Sequence, residues 1–269
     1  MSRKPTFLFV PGAWHLPPYF DPLITYLSAH GYPSAAVTLP AVNSSPAVTS
    51  LQPDVDAAVA ALAETLSGGS DVVVVMHSYG GMVGTDAVGR VVKELSGANE
   101  GPDKKSGKIQ RLVYVTAHVP LEGQTLFQAI EGEIEGPPPP IGHVIFEEPY
   151  FLLKEEAMDI FYHDVPESLA SQYARVLGKQ PMATFTTPVA HADGGSVPST
   201  YIYTTQDRSL PLAYQQFMAK RAKEVASQDG GSVKPFEGEI GEVSLASGHT
   251  PFLSMTEKIG EILIRAAEV

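Results

Sequence analysis

The sequence VVVVMHSYGG, residues 72–81, decides how this chain is expected to fold. Its four valines predict a strand over Asp71–Met76 that is buried on both faces, as in a parallel sheet. Apolar residues then recur at helical spacing over Met82–Leu95, so a helix is expected to follow the strand almost at once. Ser78 therefore lies in a tight turn between a buried strand and a helix.

Similar pairs of strands and helices extend in both directions from this segment. Five more apolar runs bounded by turn residues predict strands: Thr6–Val10, Ala35–Leu39, Arg111–Thr116, Thr200–Thr205 and Glu242–Leu245. Helical spacing predicts four more helices: Tyr19–His30, Asp54–Ser67, Leu212–Val225 and Thr256–Ala267. This alternation favours an α/β fold with a mainly parallel sheet of about six strands and helices on both faces.

One long segment between the fourth and fifth predicted strands interrupts the alternation. It contains Pro137–Pro140 and aromatic-rich patches with helical spacing at Phe151–Tyr162 and Ser168–Leu177. We therefore expect a core of residues 1–120 and 199–269 and an inserted helical lid of residues 121–198. The alternative is a segment that only covers the edge of the sheet. Two polar stretches are expected to be surface loops: Ser96–Lys108 and Ser227–Gly241.

The turn after the central strand has residues that a serine nucleophile requires. A sharp strand-to-helix turn presents the hydroxyl to a base and a substrate, and it crowds the backbone two residues before and after the serine. Gly80 meets this requirement on one side, whereas Met76 replaces the usual glycine on the other. The alternative is a glycine-rich turn with an incidental serine, and the presence of a suitably placed base and acid tests it.

A carboxylate and a histidine follow the fifth and sixth predicted strands. In this architecture the order along the chain is serine, acid, histidine, each just past the end of a strand. Asp207 and His249 have these positions, at the edge of the sheet where ligands bind in α/β proteins. Ser78, Asp207 and His249 are therefore the expected catalytic residues. For the acid, Glu237, Glu239 and the acids of the lid remain alternatives.

Acyl transfer also requires hydrogen-bond donors for the oxygen that becomes negatively charged. Backbone N–H groups supply them, at about 3–4 kcal/mol for each donor. One donor is expected from Tyr79, after the serine, and one from Ala13, in the loop after the first strand. Gly12 in that loop permits close approach of the substrate, although an ordinary Pro-Gly turn is the alternative. Further side chains are expected to line an apolar pocket: Trp14, His15 and His118, with Phe151, Phe161 and Tyr162 from the lid.

Composition and charge limit the other functions. The 269 residues include 18 basic and 30 acidic side chains, and the net charge of −12 disfavours binding to nucleic acids or membranes. Cysteine is absent, which excludes disulfides, thiolate metal sites and cysteine nucleophiles. The first residues, Met-Ser-Arg-Lys-Pro, precede only a short apolar run. Neither a signal peptide nor a membrane span is therefore expected, and the expected location is cytoplasmic.

No metal and no organic cofactor is expected. Two pairs of nearby residues, His163-Asp164 and His191-Ala192-Asp193, contain side chains that can bind metals. Neighbours in sequence rarely converge on one ion, however, so neither pair predicts a metal site. The chemistry expected of Ser78 and His249 needs no added group.

Together these segments resemble the α/β-hydrolase superfamily, and most of all its small esterases, which include plant methyl esterases, hydroxynitrile lyases and microbial relatives. The oxyanion loop of that group is similar to Pro11-Gly12-Ala13-Trp14-His15, with proline where histidine is usual. Its nucleophile turn is similar to His77-Ser78-Tyr79-Gly80-Gly81, apart from the preceding methionine. Thr205-Gln206-Asp207 and Gly248-His249 match the other two catalytic segments. The resemblance does not extend to the lid.

The resemblance implies a carboxylic ester hydrolase for a small ester or lactone, and an apolar lid favours aromatic or polyketide-like substrates. Hydroxynitrile lyases of this group typically have a threonine in the oxyanion loop and a lysine after the catalytic histidine. The corresponding residues here are Gly12 and Thr250, which favours hydrolysis. A lyase, a cyclase, a cofactor-free oxygenase and a receptor-like binder remain alternatives, because function belongs to the site rather than the fold. The oligomeric state is open, with a homodimer as one alternative.

Overall fold

The computed structural model describes residues 3–97, 106–140, 142–192, 195–228 and 235–269. This part of the chain contains nine strands: β1 (Thr6–Val10), β2 (Ser34–Ala36), β3 (Val72–His77), β4 (Ile109–Val115), β5 (Val144–Glu147), β6 (Tyr150–Leu153), β7 (Gln180–Pro181), β8 (Ser199–Thr204) and β9 (Glu242–Leu245). It also contains ten α-helices: α1 (Asp21–Ala29), α2 (Gln52–Ser67), α3 (Gly80–Gly97), α4 (Leu126–Ala129), α5 (Ala157–Tyr162), α6 (Glu167–Ala174), α7 (Ala183–Thr186), α8 (Leu212–Gln228), α9 (Pro251–Ser254) and α10 (Thr256–Glu268). A short 3₁₀ helix, Pro17–Phe20, precedes α1.

Six of the strands form one sheet in the order β2-β1-β3-β4-β8-β9. Every neighbouring pair in this sheet is parallel. The valine run forms β3, which lies between β1 and β4 and is buried at every residue. The predicted α/β fold with a six-stranded sheet is therefore confirmed.

Each face of the sheet carries its own apolar core, because side chains alternate between the faces along a strand. On one face, Leu8 and Val74 pack with apolar residues of α2, α3 and α8. On the other face, Phe9 and Val75 pack with α1 and α10. Since helices cover both faces, the central strands need apolar side chains at every position, which explains the unbroken valine run.

The second strand differs most from its prediction. The apolar run Ala35–Leu39 predicts five residues, whereas β2 covers only Ser34–Ala36. As an edge strand, β2 pairs with β1 alone, and the pairing ends as the chain approaches Pro40. Leu39 is nevertheless buried in the core. The apolar pattern therefore predicted the burial of Leu39 correctly, although this residue lies beyond the end of the strand.

The inserted segment is not purely helical. Besides the short helices α4 to α7, it contains a separate antiparallel sheet of β5, β6 and β7. The prediction of a helical patch over Phe151–Tyr162 is wrong in its first part, because β6 occupies Tyr150–Leu153 and α5 begins only at Ala157. The four residues of β6, YFLL, are a continuous apolar run, and periodicity alone cannot distinguish such a run in a strand from one in a helix. We call residues 121–198 the cap; its separation from the core as a domain stays a prediction.

Of the two predicted surface loops, residues 98–105 of the first and residues 229–234 of the second lie outside the described residues. Helices α3 and α8 extend into the beginnings of the predicted loops and end at Gly97 and Gln228. Within the described ranges, every helix is too short or too polar to cross a membrane.

Candidate active site

The loops that carry the predicted catalytic residues meet at the carboxyl edge of the main sheet. Ser78 follows β3, Asp207 follows β8 and His249 follows β9. The loop with Gly12 and Ala13 follows β1, which pairs directly with β3. Parallel pairing therefore brings together segments that are far apart in sequence.

Ser78 lies on a strained turn between β3 and α3. Its φ of 53° is in the left-handed region, which residues other than glycine rarely adopt. Its carbonyl oxygen accepts hydrogen bonds from the N–H groups of Gly81, at 3.0 Å, and His118, at 3.1 Å. The predicted need for a small residue at Gly80 also has a clear cause, since a Cβ there would lie 2.3 Å from the Val10 carbonyl oxygen. This geometry supports the predicted role of Ser78.

Met76 fits before the turn because a glycine on α3 makes room for it. The Met76 side chain is fully buried. A Cβ built on Gly84 would lie 2.4 Å from Met76 Sδ and 2.5 Å from its Cγ. The small residue that this turn needs is thus Gly84 on the helix rather than a glycine on the strand, and Met76 packs closely against it. The departure from the usual motif at Met76 has a local structural cause.

We expect Gly84→Ala to lower the free energy of unfolding by about 1–3 kcal/mol, because the added methyl group overlaps Met76 in a close-packed core. Urea unfolding measures the change. The control is the same substitution in a Met76→Ala background, where the overlap is relieved and the better helix propensity of alanine makes it neutral or stabilising. Equal destabilisation in both backgrounds would contradict the steric explanation.

Asp207 and His249 form a buried pair. Nδ1 of His249 donates to Oδ2 of Asp207 at 2.8 Å, and both side chains are almost completely buried. Four other groups donate to this carboxylate: the hydroxyls of Thr116 and Thr204 and the N–H groups of Ser209 and Leu210. Burial alone raises the pKa of Asp207, but attraction to His249 and the hydrogen bonds outweigh it, so the pKa lies below its ordinary value. The alternative acids Glu237 and Glu239 are exposed.

Two backbone N–H groups beside Ser78 are available to bind an oxyanion. The N–H groups of Ala13 and Tyr79 donate to no acceptor in the part of the chain that the structure describes. The neighbouring N–H groups are occupied: Gly12 donates to the Tyr19 hydroxyl at 2.9 Å, and Trp14 donates to Gln180 Oε1 at 3.3 Å. The Gly12 N–H is therefore not available to an oxyanion, and the residue allows close packing, since a Cβ there would lie 3.1 Å from Ser78 Cβ.

His77 connects three of the site loops. The Tyr19 hydroxyl, which accepts from Gly12, lies 3.0 Å from His77 Nδ1, and His77 Nε2 lies 2.8 Å from the His249 carbonyl oxygen. Burial, reinforced by His249 and His15, holds the pKa of His77 well below its ordinary value. The neutral ring thus accepts from Tyr19 and donates to His249. Sequence reasoning placed His77 beside the serine but gave no sign of these contacts.

A buried carboxyl group lies behind Tyr79. The Tyr79 hydroxyl donates to Oδ2 of Asp54 at 2.8 Å, and the Ala41 N–H donates to Oδ1 at 2.8 Å. The Asp54 residue is fully buried. Burial raises its pKa to about 6, against the opposing effect of the two hydrogen bonds. Sequence analysis did not identify Asp54, because it occupies an ordinary polar position near the start of α2.

This raised pKa predicts how stability depends on pH. Between about pH 4 and pH 6 the unfolded chain releases the Asp54 proton while the folded chain retains it, so the contribution of Asp54 to stability falls as the pH rises. Relative to Asp54→Asn, we expect wild type to lose roughly 2 kcal/mol of unfolding free energy between pH 4 and pH 7. Urea unfolding at four pH values measures the difference, and parallel curves would contradict it.

A cavity of about 390 Å³ opens over Ser78, between the core and the cap. Its walls are mainly apolar and aromatic: Ala13, Trp14, Ser78, Tyr79, His118, Leu126, Phe127, Ile130, Pro138, Pro139, Pro140, His143, Val144, Phe146, Phe151, Phe185, Ser209 and Leu210. No lining residue described by the structure carries a formal charge, since burial lowers the pKa of His118 to about 4 and that of His143 below its ordinary value. The cavity therefore has a mainly apolar lining without charged side chains.

Three of the predicted pocket residues, Trp14, His118 and Phe151, line this cavity. The other three lie behind its wall, so that part of the prediction is wrong: His15, Phe161 and Tyr162. Nε2 of His15 lies 2.6 Å from the Tyr162 hydroxyl, and the Phe161 ring packs 5.5 Å from the His249 ring. Phe161 thus packs against the predicted base, while His15 and Tyr162 contact each other outside the cavity lining.

The two His-Asp pairs have contacts within the protein. Asp164 accepts hydrogen bonds from the loop that carries His249. His191 Nδ1 lies 2.9 Å from Asp86 Oδ1 on α3, whereas Asp193 lies outside the described residues. The contact of Asp164 with the loop that carries His249 is a feature that sequence reasoning missed, because cap and loop are distant in the chain.

Comparison with known proteins places these features in context. The model of the alpha/beta hydrolase family matches residues 7–261. The alpha/beta hydrolase nvfD of Aspergillus novofumigatus is 29% identical over 98% of this chain and 97% of its own length. The pyrethroid hydrolase PytH, crystallised with BIF, has a TM-score of 0.71 at 21% identity, covering 99% of this chain and 98% of that one. The methylesterase MES16 from Arabidopsis has a TM-score of 0.71 at 22% identity, covering 98% of this chain and 99% of that one.

Proposed function

Because the chain belongs to the alpha/beta hydrolase family, we propose that it is a serine hydrolase that cleaves a small carboxylic ester or lactone through Ser78, His249 and Asp207. One observation carries the proposal: the buried Asp207–His249 pair lies at the same sheet edge as the strained Ser78 turn and two free N–H donors. Base, acid, nucleophile and oxyanion donors are the complete set that acyl transfer requires.

The reaction follows from these positions. Nε2 of His249 accepts the Ser78 hydroxyl proton while Oγ attacks the carbonyl carbon. The oxyanion accepts hydrogen bonds from the N–H groups of Ala13 and Tyr79. Its collapse expels the alcohol oxygen, which takes the proton from His249 and leaves an acyl group on Ser78. Water, deprotonated by His249, then attacks this ester, releasing the acid and restoring the serine. Asp207 holds the His249 tautomer and stabilises the imidazolium.

The cavity supports a neutral substrate with an apolar or aromatic body. Its volume of about 390 Å³ admits a molecule larger than a short-chain ester, and aromatic rings such as Trp14, Phe151 and Phe185 form much of the wall. A carboxylate or ammonium group would lose its hydration there without a charged partner. The names of PytH and MES16 denote hydrolysis of a pyrethroid and of methyl esters, but their identities of 21% and 22% support the fold alone.

The cap, in this proposal, completes the substrate cavity over the core of residues 1–120 and 199–269. Its Pro138–Pro140 segment and Phe146 line the cavity together with Ser78 and Ala13 of the core. The cytoplasmic location and the oligomeric state stay predictions from the sequence.

Intact mass spectrometry after treatment with a fluorophosphonate tests the proposal. We expect one phosphonyl adduct, located on Ser78 by peptide mapping and absent from Ser78→Ala, because only an activated serine displaces fluoride at an appreciable rate. A folded protein without an adduct would overturn the hydrolase proposal and favour a binder. Screening of methyl, aryl and lactone substrates then separates hydrolysis, which releases an acid, from lyase chemistry, which releases a carbonyl compound.

A further inference from the structure

We propose that the cap is a fixed part of the catalytic apparatus, and that its residues Asp164 and Gln180 are positioning residues for the loops of His249 and Ala13. This inference rests on the proposed function, since both loops act in ester cleavage. It differs from the expectation of a lid that only covers the site, because it makes the reaction rate depend on cap residues that do not touch the substrate.

Asp164 fastens the cap to the loop that carries His249. Its Oδ2 accepts three hydrogen bonds: from the Gly248 N–H at 2.7 Å, the Ser247 hydroxyl at 2.7 Å and the Ser254 hydroxyl at 2.8 Å. Ser247 and Gly248 immediately precede His249, and Ser254 lies at the end of α9, which follows it. A single carboxylate oxygen therefore fixes the backbone on both sides of the proposed base.

The cap also packs closely against Gly248 in this loop. A Cβ at Gly248 would lie 2.6 Å from Asp164 Oδ1 and 2.5 Å from His163 Cε1. A glycine before the histidine is thus required by the contact with the cap, which leaves no room for a side chain. The contact sets how far the loop can move toward the cap, while the hydrogen bonds to Asp164 limit movement away from it.

Gln180 holds the loop that carries Ala13. Its Oε1 accepts from the Trp14 N–H at 3.3 Å, and its Nε2 donates to the Thr184 hydroxyl at 2.9 Å. The cap makes two more hydrogen bonds to Trp14. The Gly178 N–H donates to the Trp14 carbonyl oxygen at 2.7 Å, and the Trp14 indole N–H donates to the Phe151 carbonyl oxygen at 3.0 Å.

These contacts explain how a strained loop keeps its shape. Trp14 has a φ of 65°, a conformation that costs free energy and persists only where the surroundings impose it. Gln180, which is fully buried, is one of the residues that impose it. On the other side of Ala13, the Gly12 N–H is fixed by Tyr19. The free N–H of Ala13 is therefore held between two anchored peptides, which is what a preorganised oxyanion donor needs.

The test compares Asp164→Ala with a matched control, Asp86→Ala. Asp86 also joins core and cap, since its carboxylate accepts from the Ala190 N–H at 2.8 Å and lies 2.9 Å from His191 Nδ1. Among the described residues, these hydrogen bonds involve neither the loop of His249 nor that of Ala13. We expect both variants to lose thermal stability. For Asp164→Ala alone, we expect kcat and the rate of Ser78 phosphonylation to fall about 10- to 100-fold, with KM changed less than about threefold.

Conservative variants separate positioning from loss of packing. In Asp164→Asn the amide oxygen can occupy the place of Oδ2 and accept the same three donors, so most of the rate should return. Gln180→Glu keeps an acceptor for Trp14 and should be faster than Gln180→Leu by about tenfold in kcat. If Asp164→Ala fails to fold, Ser254→Ala, which removes one donor, replaces it in the same comparison, with an expected fall in kcat of a few fold.

The outcomes are distinct from those for the proposed function. If the wild-type protein is not phosphonylated at Ser78, the hydrolase proposal is overturned. The positioning role would be overturned if wild type is phosphonylated but Asp164→Ala and Gln180→Leu match Asp86→Ala in kcat and in the rate of phosphonylation. That result would leave the hydrolase proposal intact.

Discussion

Replacement of Ser78 by alanine is expected to lower kcat for an ester substrate by about 10⁴- to 10⁶-fold. The hydroxyl is the only proposed nucleophile, and without it the oxyanion donors can at most assist attack by water. Alanine occupies nearly the same volume and meets the same backbone strain at a φ of 53°, so the fold should be retained. Steady-state hydrolysis of an active aryl ester, with circular dichroism of both proteins, measures the effect.

A serine on the surface provides the control for this substitution. The Ser67 hydroxyl donates to the Glu64 carbonyl oxygen on an exposed part of α2, away from the cavity, and Ser67→Ala should leave kcat within about twofold of wild type. Retention of more than about 1% of wild-type kcat by folded Ser78→Ala would assign the nucleophile to another group or to water.

The arrangement of the core could be predicted from the sequence because its signals are local. The valine run of β3 is buried on both faces, and each strand of the core except β4, which leads into the cap, is followed by its turn and helix along the chain. Parallel pairing then fixes which strand ends meet, so the proximity of Ser78, Asp207 and His249 follows from order alone. The compensation between Met76 and Gly84 was not predicted, although both residues lie on predicted elements, because it depends on a side-chain contact between strand and helix.

The cap could not be predicted to the same extent, because its structure depends on contacts between distant residues. Its strands are two to four residues long and carry no clear alternation. Asp164 and Gln180 act on loops from other parts of the chain, and nothing in their own neighbourhood indicates a partner. For the same reason, pocket lining was predicted correctly for Trp14 but wrongly for His15, although both are in one short loop.

Replacement of Asp207 by asparagine is expected to lower kcat by about 10⁴-fold while leaving the substrate cavity in place. The reason is the orientation of the new amide. The N–H groups of Ser209 and Leu210 donate to the Oδ1 position, at 2.7 and 2.9 Å, and require an oxygen there. The amide nitrogen therefore takes the Oδ2 position and donates to His249 Nδ1. The proton of His249 then moves to Nε2, which can no longer accept the proton of Ser78.

A neighbouring threonine separates this tautomer effect from a general loss of hydrogen bonding. Thr204→Val removes a hydroxyl that donates to Asp207 Oδ2 at 3.1 Å but retains the carboxylate, so kcat should fall less than about tenfold. If folded Asp207→Asn keeps more than about a tenth of wild-type kcat, another acid orients His249. Asp164 is then the first residue to substitute, because it already contacts the loop of the histidine. A fall in kcat near 10⁴-fold in Asp207→Asn, but not in Thr204→Val, assigns the orienting role to Asp207. This substitution moves the His249 proton from Nδ1 to Nε2, whereas Thr204→Val does not.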